Sequence, residues 1–232
     1  MKLRYFILFV AILLAHSSIC WAQGRPRPED ATAAVLRVFK THDIVMLGEI
    51  HDNKQLYEWL GSLVATPEFA DQVDDIVVEM GNSLYQKSVD RYVSGEDVPL
   101  EQVQKAWRNT LAVGPQSPIY GRFYQAVREV NMKRRGKHQI RILCGDPYID
   151  WEKVNDRWGM NPYMRHRDDW YAQVVKGEVL AKHHRALLIM GALHFLRTFK
   201  IGPMEPVIEP ELRKAGGRTY LIIVGTNTAG GL

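Results

Sequence analysis

Two cysteines in 232 residues are too few for a disulfide scaffold or a four-cysteine zinc site. Charge of one sign is scarce as well. The 30 Lys+Arg stand against 26 Asp+Glu, a net of +4 without a dense basic stripe, which removes nucleic acid as a partner. Several catalytic signatures are missing: there is no G-x-S-x-G elbow, no G-x-x-x-x-G-K-[ST], no H-E-x-x-H and no G-x-G-x-x-G after a strand. The usual serine esterases, P-loop NTPases, zincins and dinucleotide enzymes therefore lose their support. What remains is 46% apolar and 24% charged, which supplies a core and fits neither wholesale disorder nor a multi-span membrane protein.

Residues 1–22 read as a secretory signal. Lys2 and Arg4 start it, an apolar run from Tyr5 to Ala15 follows, and Cys20-Trp21-Ala22 closes it with a small residue before Gln23. The alternative is an uncleaved anchor that keeps the protein at the envelope, since the apolar run can extend through Ile19. Ile19 directly before Cys20 argues against lipidation. Cleavage after Ala22 takes Lys2, Arg4 and Cys20 with it, leaving a net charge of +2 and a single thiol, Cys144. The expectation is an exported protein, periplasmic or extracellular, with residues 23–232 forming one domain.

That domain alternates short aliphatic runs with longer periodic ones. Asp43 to Gly48, Asp75 to Met80, Gln139 to Gly145, Ala186 to Gly191 and Thr219 to Val224 read as strands buried on both faces. Helical patterns cover Asn53 to Ala65, Ser83 to Val93, Leu100 to Thr110, Pro118 to Lys133, Pro162 to His183 and Glu205 to Lys214. Asp52 or Asn53 can cap the first helix, and Gly136, Gly216 and Gly217 mark helix exits. The rhythm predicts a three-layer α/β fold: a mostly parallel central sheet, helices on both faces, and a helical insertion over about residues 83–133.

In such sheets ligands bind beyond the carboxyl ends of the strands. Four predicted strands present chemistry there. The first leads into Gly48-Glu49-Ile50-His51-Asp52, the second carries Glu79, the third ends Gly145-Asp146-Pro147, and the fourth leaves through Gly191-Ala192-Leu193-His194. Glu49 and His51 share a face if the backbone stays extended. A carboxylate beside an imidazole fixes its tautomer and favours its charged form. Two histidines with two or three carboxylates make either a hydrolytic acid/base site or a metal site held by Glu49, His51, Glu79 and His194. Taken singly, each residue also reads as a helix cap or a solvated charge; the repetition at four exits favours a site.

Other candidates carry less. Arg167, early in a predicted helix, can reach the crevice to hold an oxyanion or can simply be solvated. His183 and His184 suit a helix end. Cys144 sits in a buried strand and reads as packing. Tyr85, Tyr92, Trp107, Tyr120, Phe123 and Tyr124 read as core of the insertion, with a flat-ligand pocket as the lesser alternative.

At these same residues the sequence resembles the superfamily that joins erythromycin esterases, ChaN-like haem-binding uptake proteins and Tiki proteases. The matching pieces are MLGEIHDN around Glu49 and His51, IVVEMGN around Glu79, RDDWYAQVV at Arg167 and Asp168, and LLIMGALHF ending beyond His194. The resemblance implies an erythromycin esterase/ChaN-like α/β fold with Glu49, His51, Glu79, Arg167 and His194 in a shared polar cluster. From the esterase branch it implies His51 as general base for hydrolysis of an ester, lactone or amide, with Glu79 and His194 completing the acid/base site and Arg167 supporting developing charge. The Tiki branch implies a divalent metal such as Mn, Co or Zn and a peptide substrate. The ChaN-like branch implies haem or iron binding without catalysis. The chain is much shorter than the macrolide esterases, so a smaller substrate is expected.

Overall fold

The computed structural model describes residues 28–111, 117–154, 162–195 and 207–225. The chain divides into two units, Met1–Ala33 and Ala34–Leu232. The expected signal at residues 1–22 lies outside the described residues. Of the first unit only residues 28–33 are described, ending in the start of a helix, α1 (Ala31–Val38).

The second unit is built on five parallel strands: β1 (Ile44–Glu49), β2 (Asp75–Asn82), β3 (Arg141–Asp146), β4 (Ala186–Gly191) and β5 (Thr219–Ile223). Their spatial order is β3-β2-β4-β1-β5. All five aliphatic runs became strands because each is β-branched or long-chain aliphatic; β1, β2 and β4 are buried on both sides and β3 nearly so, as expected, but β5, at the edge of the sheet, is only partly covered, with Tyr220 and Ile223 exposed. Alternate residues divide between two cores. Val45, Leu47, Ile76, Val78, Leu187 and Ile189 face one; Ile44, Met46, Val77, Leu143, Leu188 and Met190 face the other.

The first core is covered by α2 (Lys54–Val64), α3 (Pro67–Gln72), α4 (Gln86–Val93), the two short helices α5 (Leu100–Val103) and α6 (Lys105–Arg108), and α7 (Pro118–Lys133). The second is covered by α8 (Arg167–Glu178) and α9 (Ile208–Lys214) through Tyr171, Val175, Ile208 and Leu212. The three layers are those expected. Asn53 caps α2, its side chain accepting from Leu56 N, and Pro118 starts α7 behind a Ser117 cap.

Three stretches differ from expectation. Ser83–Tyr85 is a 3-10 turn capped by Asn82 before α4 begins. The 100–110 region breaks into two short helices. The predicted helix ending at His183 stops at Glu178, passes through a 3-10 turn and closes with His183 at φ 57. The short helices α1 and α3 escaped the sequence reading because eight and six residues give the apolar period too few repeats to register. Among the described residues no helix is long and apolar enough to cross a membrane.

Candidate functional site

The strand order places β4 between β1 and β2, and Glu49 at the end of β1 is in register with Gly191 at the end of β4. Glu49 and Glu79 are buried and face one another across that glycine. A Cβ built at Gly191 would lie 3.1 Å from His51 Cε1, 3.2 Å from Nε2 and 3.3 Å from Glu79 Oε2. Its missing side chain is what lets the imidazole and both carboxylates close together.

His51 does not continue the strand. β1 stops at Glu49, and a turn with Asp52 at φ 60 swings the imidazole back, a left-handed position that Asp tolerates better than most residues. The Asp52 N–H donates to Tyr120 Oη at 3.2 Å and pins that turn. His51 Nδ1 lies 3.1 Å from Glu49 Oε1; an ionised carboxylate only accepts, so Nδ1 carries the proton. Nε2 is 3.6 Å from Glu79 Oε1, a charge contact beyond hydrogen-bond reach. His51 is the open member of the cluster, its side chain 38% exposed. The hydrogen bond to Glu49, with the charges of Glu79 and Glu49, raises its pKa above the ordinary imidazole value against the pull of burial and Arg167.

Glu49 is held from behind by Tyr57, whose hydroxyl donates to Oε1 at 3.2 Å. Burial pushes the Glu49 carboxyl upward, opposed chiefly by His51. Glu79 is the centre of the group. Its Oε2 accepts from Gly191 N at 2.6 Å, and its Oε1 lies 3.3 Å from His194 Nε2 and 3.0 Å from Arg167 Nη2. Burial alone would raise it, but the charges of His194 and Arg167 hold it well below the usual carboxylate range.

His194 is clamped. Nδ1 is 2.6 Å from Asp168 Oδ1 while Nε2 faces Glu79, so both ring nitrogens carry protons. Burial works against that charge, yet Glu79 and Asp168 push the pKa up to about 9. Arg167 is buried, its Nε donating to Asp146 Oδ1 at 2.7 Å, where Tyr171 Oη also donates at 2.7 Å. Asp146 is completed by Leu111 N at 2.5 Å, which ties the middle of the insertion to the strand exits. One buried polar atom here has no partner, Glu49 Oε2, while Arg167 Nη2 makes its ion pair with Glu79 without a well-aligned hydrogen bond.

All five sequence-selected residues, Glu49, His51, Glu79, Arg167 and His194, thus come together. Their placement corrects three expectations. The Glu49–His51 pair is made by a turn rather than by extended backbone. Arg167 does not reach into the crevice as a free anion holder, because Asp146 and Glu79 occupy it beneath the surface. The expected metal set Glu49, His51, Glu79, His194 does not form a cage: among the described residues no group of three or more His, Cys, Asp or Glu is arranged to hold a metal ion. Glu79 and His194 are already engaged with one another, with Asp168, with Arg167 and with the Gly191 N–H, and two cations close beside Glu79 oppose a third.

Four partners stand outside the selected set. Asp146 carried a signal as the end of a strand and Asp168 beside Arg167 in the RDDWYAQVV motif, whereas nothing in the sequence singled out Tyr57 or Tyr171. Cys144 is buried and its thiol pushed far up by burial. His184 pairs with buried Asp75 at the opposite end of the sheet, Nδ1 to Oδ2 2.7 Å, so it is a packing partner rather than a helix-end charge.

Around the cluster the strand exits carry exposed apolar side chains: Ile50 after β1, Leu193 after β4, Tyr148 after β3 and Ile223 at the end of β5, between 43% and 55% exposed. Exposed apolar side chains at this end of the sheet suit contact with an apolar ligand.

No protein-family profile matches the chain, and no curated protein is significantly similar in sequence. Two solved structures are similar in fold. ChaN of Campylobacter jejuni, described as binding haem cofacially, aligns over 87% of this chain and 88% of its own with a TM-score of 0.57 and 12% identity. The type III effector HopBA1 aligns over 89% and 88% with a TM-score of 0.51 and 14% identity. At such identities the likeness is one of fold, an α/β architecture shared with ChaN.

Proposed function

We propose that this chain is a hydrolase in which His51 activates water for attack on an ester, lactone or amide of a small-molecule or peptide substrate. The observation that carries the reading is the Glu49–His51 pair: an open imidazole whose Nδ1–H is fixed by a buried carboxylate, leaving the Nε2 lone pair for a proton. When Nε2 takes a proton from water, the resulting imidazolium lies between Glu49 and Glu79, which stabilise it. Glu79 can serve only while ionised, and the buried cations His194 and Arg167 keep it so. His194 and Arg167 therefore act as positioning groups behind the reacting atoms. The unpartnered Glu49 Oε2 offers an acceptor to an incoming polar group. The test is turnover of a panel of esters, lactones and amides by the purified protein. His51→Ala should remove activity by about a thousandfold or more, and unchanged turnover in that variant would overturn the assignment.

A second reading is favoured by the exposed apolar side chains at the strand exits: binding of haem. The histidines do not suit it, since His194 has both nitrogens committed and His51 is held between two carboxylates. The exposed Tyr148 phenol is the ligand that fits, with Ile50, Leu193 and Ile223 against the macrocycle. Bound haem would supply iron for redox chemistry or be carried as cargo. Haem titration followed by absorbance decides it: a stoichiometric Soret shift altered in Tyr148→Phe supports binding, and no shift at micromolar protein removes it.

A further inference from the structure

Away from the strand exits, α2 and α7 leave between them a cleft of about 170 Å³. Tyr57, Ile119 and Phe123 form its apolar walls, Gly61 its base, and Lys54, Glu58 and Arg122 its mouth. The walls are well packed. Tyr57 and Phe123 are buried and meet edge to face with ring centroids 5.8 Å apart. We propose that this cleft is a binding site for a small amphiphilic carboxylate, a single aromatic ring or a chain of about six carbons bearing one carboxyl group.

Three observations carry this. The size is compatible: a closed apolar cavity of about 150 Å³ accepts one benzene ring, and this cleft, open on one side, has room for a ring or short chain with its carboxyl group at the mouth. The mouth is cationic: Lys54 and Arg122 are both exposed, against one acid, Glu58, and the Lys54–Glu58 contact is a loose surface pair at 3.5 Å with both side chains more than 60% exposed. Such a pair is worth little and yields readily to a better-placed anion. The third is Gly61, in the interior of α2, where glycine is the weakest ordinary helix former. Packing does not demand it: a Cβ there would meet only Ala126 Cβ, at 3.9 Å, an ordinary contact. The effect of the glycine is to keep the cleft open.

The occupant would rest on Tyr57, the same side chain whose hydroxyl holds Glu49. The site is nonetheless defined by binding alone, so it stands or falls independently of the hydrolase reading. The experiment is amide NMR of the labelled full chain titrated with hexanoate, benzoate, hexan-1-ol and acetate. Hexanoate and benzoate should shift the amides of Gly61, Ile119, Arg122 and Phe123 saturably, with Kd on the order of 1 mM. Hexan-1-ol should bind about tenfold more weakly for want of the ion pair, and acetate should leave those amides unmoved. Gly61→Leu should fill the cleft and abolish the shifts. If that variant does not fold, Lys54→Glu with Arg122→Glu, both at exposed positions, should bring hexanoate down to the level of the alcohol. Absence of saturable shifts at these residues, equal binding of alcohol and acid, or unchanged binding in the variant that folds would overturn the proposal.

Discussion

At the scale of single residues, the Glu49–His51 pair is the point where structure meets chemistry. Glu49 contributes the largest upward push on the His51 pKa. Replacing it with Gln keeps a hydrogen-bond acceptor of the same shape but removes the charge. Under the hydrolase reading, the base works only when neutral, so the acid limb of the rate profile follows the His51 pKa. Glu49→Gln should therefore move that limb to lower pH while lowering the maximal rate by about a hundredfold or more. Ring-proton NMR of His51 checks the shift without any substrate, and an unmoved pKa would mean that Glu49 does not govern the imidazole. The residues that carry this chemistry were legible in the sequence because each follows an aliphatic run that ends at a site-facing strand exit. Tyr57 and Tyr171 were not, and the RDDWYAQVV motif held Asp168 without showing its role. A buried tyrosine on a helix stripe has the same pattern whether its hydroxyl is idle or holds a carboxylate, and an acid in the first turn of α8 is equally well explained by the helix dipole.

At the scale of elements, the site depends on β4 lying between β1 and β2, with a glycine where the outer strands present carboxylates. Gly191→Ala introduces a methyl 3.1 to 3.3 Å from the His51 ring and from Glu79. His51 faces solvent and can yield, so the fold should survive, but the imidazole leaves its position between the two acids. Turnover should fall about ten- to a hundredfold, with circular dichroism unchanged; wild-type turnover would show that the close packing over Gly191 is not needed. The strands themselves were legible to within two residues at either end, since buried parallel strands are unbroken aliphatic runs such as ALLIMG. Their order was not. Nothing local in those runs says that β4 inserts between β1 and β2, because that choice is made by the helices that cover each face. The breaks at 3-10 turns were also hidden, as they arise from tertiary hydrogen bonds such as Asn82 to Asn109 and Ile149.

For the whole molecule, the buried charges link stability to pH in a definite direction. His194 has its pKa raised from 6.5 to about 9 in the folded chain. Below 6.5 the imidazole is protonated whether folded or not, and its bridges to Glu79 and Asp168 contribute in full. Between 6.5 and 9 the unfolded chain has lost the proton that the folded chain still holds, so stability declines, and above 9 the contribution is gone. His51, raised in the same direction, adds to the decline. Glu79 acts oppositely: its depressed pKa supports the fold above the ordinary carboxylate value and is lost only in strong acid. Its contribution is constant over the alkaline range and does not mask the histidines. The rise of His194 from 6.5 to about 9 sets the loss over this range at about 3 kcal/mol, or a fall in Tm of roughly 6–12 °C between pH 6 and pH 9 for a domain of this size. Thermal melts across that range measure it. His194→Gln should be less stable at pH 6 and should flatten the slope, because the titrating group is gone and Glu79 has lost one of its two buried cations. A wild-type Tm independent of pH from 6 to 9 would mean that His194 is neutral in the fold, leaving Arg167 as the buried cation that, with half-exposed His51, keeps Glu79 ionised.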